Sequence, residues 1–161
     1  MTVIDVQTDF EALTFAIVSD LAASVDRAWQ LWADPRQLER WWGPPTYPAT
    51  FVEHDLSPGA VVTYFMTSPE GEKYHGWWRV VSVDAPHAIE LIDGFGDPHD
   101  PPADLPTGTM RVTLAEADAG SRMTITSTFE STEAMEKLLE MGQVEGMSAA
   151  LGQIDDILAN G

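Results

Sequence analysis

Acid–base chemistry in this chain would have to begin with His54, His75, His87 and His99, because imidazole is the side chain whose ordinary charge change falls near neutral pH. Their spacing holds neither a His-x-x-x-His pair nor a helical His-Glu-x-x-His, the patterns that set two imidazoles on one helix face around a metal. Glu53-His54-Asp55 has the composition of a triad, but along a strand His54 points away from both neighbours. Asp97-Pro98-His99-Asp100 has oxygens for a cation, yet aspartates among prolines read as a solvated turn, so no metal is expected. There is no Gly-x-Ser-x-Gly elbow, phosphate-binding glycine loop or dinucleotide fingerprint, and no cofactor is expected. With no cysteine, thiolate nucleophiles, disulfides and Cys-ligated zinc are excluded. The remaining catalytic candidate is Asp93, assisted across strands by His75 or His54.

Composition narrows the partners. The chain has 161 residues, 26 of them acidic and 8 basic, giving a formal net charge of −18 spread along its length. Such a surface repels phosphate backbones and anionic headgroups, so neither nucleic acid nor membrane is an expected partner. Residues Met1 to Phe10 contain two aspartates and no Lys or Arg, unlike a signal peptide, and no apolar run is long enough to span a bilayer. A cytoplasmic protein is expected, one domain over 1–161, as monomer or homodimer.

The elements that must position Asp93 follow from patterning. Ala12 to Leu21 reads as a first strand. Ser24 then caps a short helix with Val25, Ala28, Trp29, Leu31 and Trp32 on its apolar stripe, and Asp34-Pro35 opens a second that Gly43-Pro44-Pro45 ends. Further strand-like runs are Ala49 to Leu56, Val61 to Thr67, Tyr74 to Val83, Ala88 to Phe95, Thr109 to Glu116 and Arg122 to Glu130, joined by short turns that favour antiparallel hairpins. The stretch from Gly96 to Pro106 is a loop. Thr132 to Leu158 reads as one helix capped by Ser131, with Met135, Leu138, Leu139, Met147, Ala150, Leu151, Ile154 and Leu158 facing the sheet.

Strand alternation turns these runs into faces. The last hairpin sets Leu114 opposite Met123, Val112 opposite Ile125 and Met110 opposite Ser127 on the face that meets the helix. The hairpin around Ala85-Pro86 sets Val80 opposite Leu91 and Trp78 opposite Asp93, with Ile89 and Phe95 in the same interior row. Asp93 is then either an acid on an apolar face, short of partners and raised in pKa, or a strand-end acceptor for the turn at Gly94. Of Trp77 and Trp78 only one can point inward. Gly142, Gly146 and Ala149 or Ala150 recur on one side of the helix, where they either let it approach the sheet or leave a void. That void would be bordered by Trp42, Trp78, Phe95 and Met110.

The segments Arg40-Trp41-Trp42-Gly43-Pro44-Pro45, Tyr74-His75-Gly76-Trp77-Trp78-Arg79 and Asp93-Gly94-Phe95, followed by a glycine-bearing C-terminal helix, together resemble the helix-grip SRPBCC or START-like superfamily. Within it the chain is similar to the branch named after the C-terminal domain of the activator of Hsp90 ATPase, from about Leu13 to Leu158. The resemblance implies an α+β fold: a curved antiparallel sheet of about six or seven strands gripping a long C-terminal helix, with two short helices after the first strand. It also implies a hydrophobic or amphipathic small molecule held between sheet and helix, at Trp42, Trp78, Asp93, Phe95, Met110, Gly142 and Gly146. Two other readings accompany this one: a cyclase- or hydrolase-like enzyme using Asp93 and His75, and a co-chaperone of an Hsp90-type partner. The co-chaperone reading is weakened because the likeness covers the C-terminal region alone and leaves no room for a preceding domain.

Overall fold

A computed structural model describes residues 3–98 and 107–160. Eight strands pair antiparallel throughout, in the order β1-β2-β8-β7-β6-β5-β4-β3. They are β1 Val3–Asp9, β2 Thr14–Leu21, β3 Ala49–Glu53, β4 Val61–Thr67, β5 Lys73–Asp84, β6 Ala88–Phe95, β7 Gly108–Ala117 and β8 Gly120–Phe129. Strands β3 to β8 form a meander closed by β2 against β8. The helices are α1 Val25–Ala33, α2 Pro35–Trp41, α3 Thr132–Glu140, α4 Gln143–Leu151 and α5 Ile154–Asn160.

Capping chemistry sets the helix starts. Arg27 donates its main-chain N–H to the Ser24 hydroxyl at 3.2 Å, Arg36 to the Asp34 carboxylate at 2.9 Å and Ala134 to the Ser131 hydroxyl at 3.0 Å. Each bond satisfies a donor that the first helical turn leaves free. Pro35 occupies the first turn of α2, where its missing N–H does no harm.

The expected register holds in both hairpins: Leu114 pairs with Met123, Val112 with Ile125, Met110 with Ser127, Val80 with Leu91, and Trp78 with Asp93. Inward side chains of β2, β6, β7 and β8 (Phe15, Ile17, Ile89, Leu91, Val112, Ile125) are buried beneath the helices in one apolar cluster. Trp77 takes the outer face and lies across Gly94, where a Cβ would collide with its ring.

Three expectations need correction. The sheet has eight strands, because β1 adds an edge: Ile4 and Val6 alternate with Asp5 and Gln7, but the run is short and its side chains from Ile4 onward are exposed. Strand β3 stops at Glu53, where the ladder with β4 bulges, instead of running to Leu56. The C-terminal helix is not continuous. Gly142 adopts φ +84°, a left-handed conformation that glycine enters without steric cost, so α3 ends there, and a second interruption at Gly152 separates α4 from α5.

Candidate functional site

The turn after α2 builds one wall of the site. A side chain on Gly43 would collide with the Tyr47 carbonyl, so the chain folds tightly there and both preceding indoles turn inward. Trp41 donates Nε1–H to the Leu31 carbonyl at 2.9 Å. Gln153, between α4 and α5, donates Nε2–H to the carbonyls of Gly43 at 2.7 Å and Trp41 at 3.3 Å, tying the C-terminal helices to this turn. Trp42 meets Trp78 edge-on at 4.9 Å between ring centroids, and Tyr64 packs at 5.0 Å from Phe51.

Beneath α4 this wall borders a cavity of about 230 Å³, whose lining includes Trp42, Tyr64, Met66, Asp93, Phe95 and Met147. Two glycines of neighbouring strands make room for the side chains of its floor. Tyr64 lies over its strand partner Gly76, where a Cβ would come within 2.5 Å of the phenol oxygen. Asp93 sits between Trp78 and Gly108, and a Cβ on Gly108 would lie 3.4 Å from Asp93 Oδ1. On the roof Gly146 leaves open space, with nothing within 4 Å of where its Cβ would be. Of the described lining residues, Asp93 alone bears a formal charge.

Polar groups here lack partners. Burial pushes the Asp93 carboxyl up to about 6, opposed only by its own main-chain amide. Burial also drives the Tyr64 hydroxyl far above its ordinary range; the Trp42 N–H opposes this rise, the negative charge of Asp93 adds to it, and the Trp78 N–H opposes it. Those two indole N–H groups are close enough to act on the phenol oxygen but complete no hydrogen bond with it, and both remain buried and unpaired. Gln143 adds a buried, unpaired Oε1 from the first turn of α4.

The sequence-derived site residues divide. Trp42, Asp93, Phe95 and Gly146 line the cavity. Trp78 is fully buried behind its floor, and Met110, also buried, belongs to the core away from the lining. Gly142 serves the helix break. His75 is a clear correction: it occupies the outer face, 5.7 Å from the Phe65 ring, and cannot assist Asp93 on the inner one. His54 Nε2 lies 2.9 Å from the Trp32 carbonyl and His87 Nδ1 3.3 Å from that of Leu114, both bracing connections. His99 and Asp100 lie outside the described residues. A hollow of about 420 Å³ on the outer face near His75, Thr63 and Asp97 is larger, but it has no buried carboxylate.

Tyr64, Met66 and Gln143 escaped the sequence reading. The first two had a usable signal, since Val62, Tyr64 and Met66 alternate in a strand that hairpins onto Trp78. Gln143 had none, because its position depends on the helix break.

Residues 22–159 match the family model described as activator of Hsp90 ATPase homolog 1-like protein. No protein of curated function matches the chain. Among solved structures, protein Ms6760 from Mycobacterium smegmatis is 51% identical, with a TM-score of 0.89 over 97% of this chain and 96% of that one. A protein from Arthrobacter aurescens is 49% identical, with a TM-score of 0.93 over 99% and 94%. The activator-type protein SPO3351 from Silicibacter pomeroyi shares the fold at 19% identity, with a TM-score of 0.72 over 91% and 97%.

Proposed function

Because the chain belongs to the activator of Hsp90 ATPase homolog 1-like family, and because a cavity lies between its sheet and α4, we propose that it is a small-molecule binding protein. The observation that carries this reading is a cavity of about 230 Å³ with aromatic and methionine walls and one half-buried, desolvated carboxyl at its floor. Apolar walls supply affinity through desolvation, and a few polar groups fix orientation, which is the usual division of labour in a ligand site. Methionines adapt to ligand shape. The reading needs no chaperone partner and no cofactor.

Native mass spectrometry of freshly purified protein tests it by showing a bound small molecule. Gly146→Leu should fill the cavity and release that mass while the protein stays folded. A chain that carries nothing, and whose tryptophan fluorescence responds to no hydrophobic probe, would sink the proposal.

A second reading, acid–base catalysis, has one observation in its favour: Asp93 and Tyr64 meet in one cavity. Turnover of a bound carbonyl compound that Asp93→Asn abolishes without weakening its binding would establish this alternative.

A further inference from the structure

The chemical class of the ligand is written in what the cavity lacks. Gln143 Oε1 is an unpaired acceptor, the Asp93 carboxylate has no cationic partner and is held only by its own main-chain amide, and none of the described lining residues is Lys, Arg or His. A buried ionised carboxylate without a counter-charge is costly, and the remedy is a cation brought from outside. The groups facing Asp93 from each neighbouring element carry no charge: Tyr64 on β4, Trp78 on β5, Gly108 on β7, Trp42 after α2, Leu138 on α3, and Gln143 and Met147 on α4. Three aromatic residues of the lining, Trp42, Tyr64 and Phe95, offer the negative faces that attract an organic cation. A net charge of −18 draws cations towards any opening.

Resting on the binding-protein reading, we infer that the cavity takes a small hydrophobic amine, its ammonium group on Asp93 among the aromatic rings and its apolar body beneath Met147. The size agrees. A cavity of ~150 Å³ accommodates benzene, so about 230 Å³ holds one ring and a short chain. The two unpaired indole N–H groups lie near the Tyr64 oxygen, so the polar atoms of this wall are gathered at the Asp93 end of the cavity.

Three probes of one shape decide the matter by calorimetric titration at pH 8: 2-phenylethylamine, 2-phenylethanol and 3-phenylpropanoate. The amine should bind at least ~10-fold more tightly than the alcohol, because both can donate to the carboxylate but only the ammonium also supplies the opposite charge, and the carboxylate should bind weakest. Asp93→Asn should abolish the amine's advantage over the alcohol. On the unaltered protein, lowering the pH to 5 protonates Asp93 and should produce the same loss, so the outcome does not depend on the variant folding. Equal affinities for amine and alcohol, or tightest binding of the carboxylate, would overturn the amine inference while leaving the cavity reading in place. No binding of any probe, in a protein that also carries no co-purified molecule, would overturn both.

Discussion

One sheet face is built two ways. Towards the turns after β7 and before β2 ends, Leu114, Met123 and Leu21 are covered by α1, whose Trp32 reaches Met123 Sδ with its indole N–H at 3.3 Å. Towards the other end Tyr64, Asp93 and Phe95 lie beneath α4, which contributes no buried residue before Ala150. Alternation is obeyed equally in both regions, so it cannot be what distinguishes core from cavity. The difference lies in the covering helix: α1 brings Leu31 and Trp32, whereas α4 brings Gly146. Even the packed end contains unpaired polar atoms, the hydroxyls of Ser19 and Ser121. A polar orphan therefore signals a binding site only where free volume adjoins it.

The contrast predicts unequal responses to truncation. Ile125→Ala, in the packed region, should lose roughly 2–5 kcal/mol, since the neighbours cannot close on the void. Met147→Ala, beside existing free space, should lose under about 1 kcal/mol. Equal losses in urea denaturation would erase the distinction.

A pH profile sharpens it further. Asp93 has a folded-state pKa of about 6, above the unfolded value near 4. As pH rises from about 4 to 6 the unfolded chain releases this proton first, so stability falls across that window and then stays flat. Asp93→Asn should thus raise stability above pH 7 by up to about 3 kcal/mol and by much less at pH 4.5. A gain independent of pH would mean that the carboxyl is not desolvated.

The two helix glycines should respond with opposite signs. Gly142→Ala should cost about 1–2 kcal/mol by forcing a side chain into the left-handed region. Gly146→Ala should instead stabilise by up to about 1 kcal/mol, because alanine is the better helix former and its methyl meets open space. Matching signs in thermal melts would contradict the separate roles assigned to them.

These two glycines also show where sequence reading stops. Alternation placed Asp93 opposite Trp78 and inside, because period-two geometry is local and the hairpin connectors are short. Both glycines fit helical spacing equally well, however, and nothing in that spacing says which one turns left-handed. Strand β1 was missed although Ile4 and Val6 alternate with Asp5 and Gln7, because so short a run with exposed side chains gains its order from the ladder to β2 and not from apolar burial. Tyr64 was readable from its own strand, but its place beside Asp93 in the cavity lining depends on Gly76, a glycine whose importance appears only once three strands are aligned.

The isolation of α4 between its two breaks has an evolutionary consequence. Nine residues bounded by Gly142 and Gly152 roof the cavity, while Gln153 holds the following segment to the turn at Gly43. Mutations at Gln143, Gly146 and Met147 can therefore drift without disturbing the sheet or the α1 core, whose packing tolerates little change. Descendants of such a gene could acquire new ligands by revising a single short cassette, so diversification would proceed quickly there while the framework stayed recognisable.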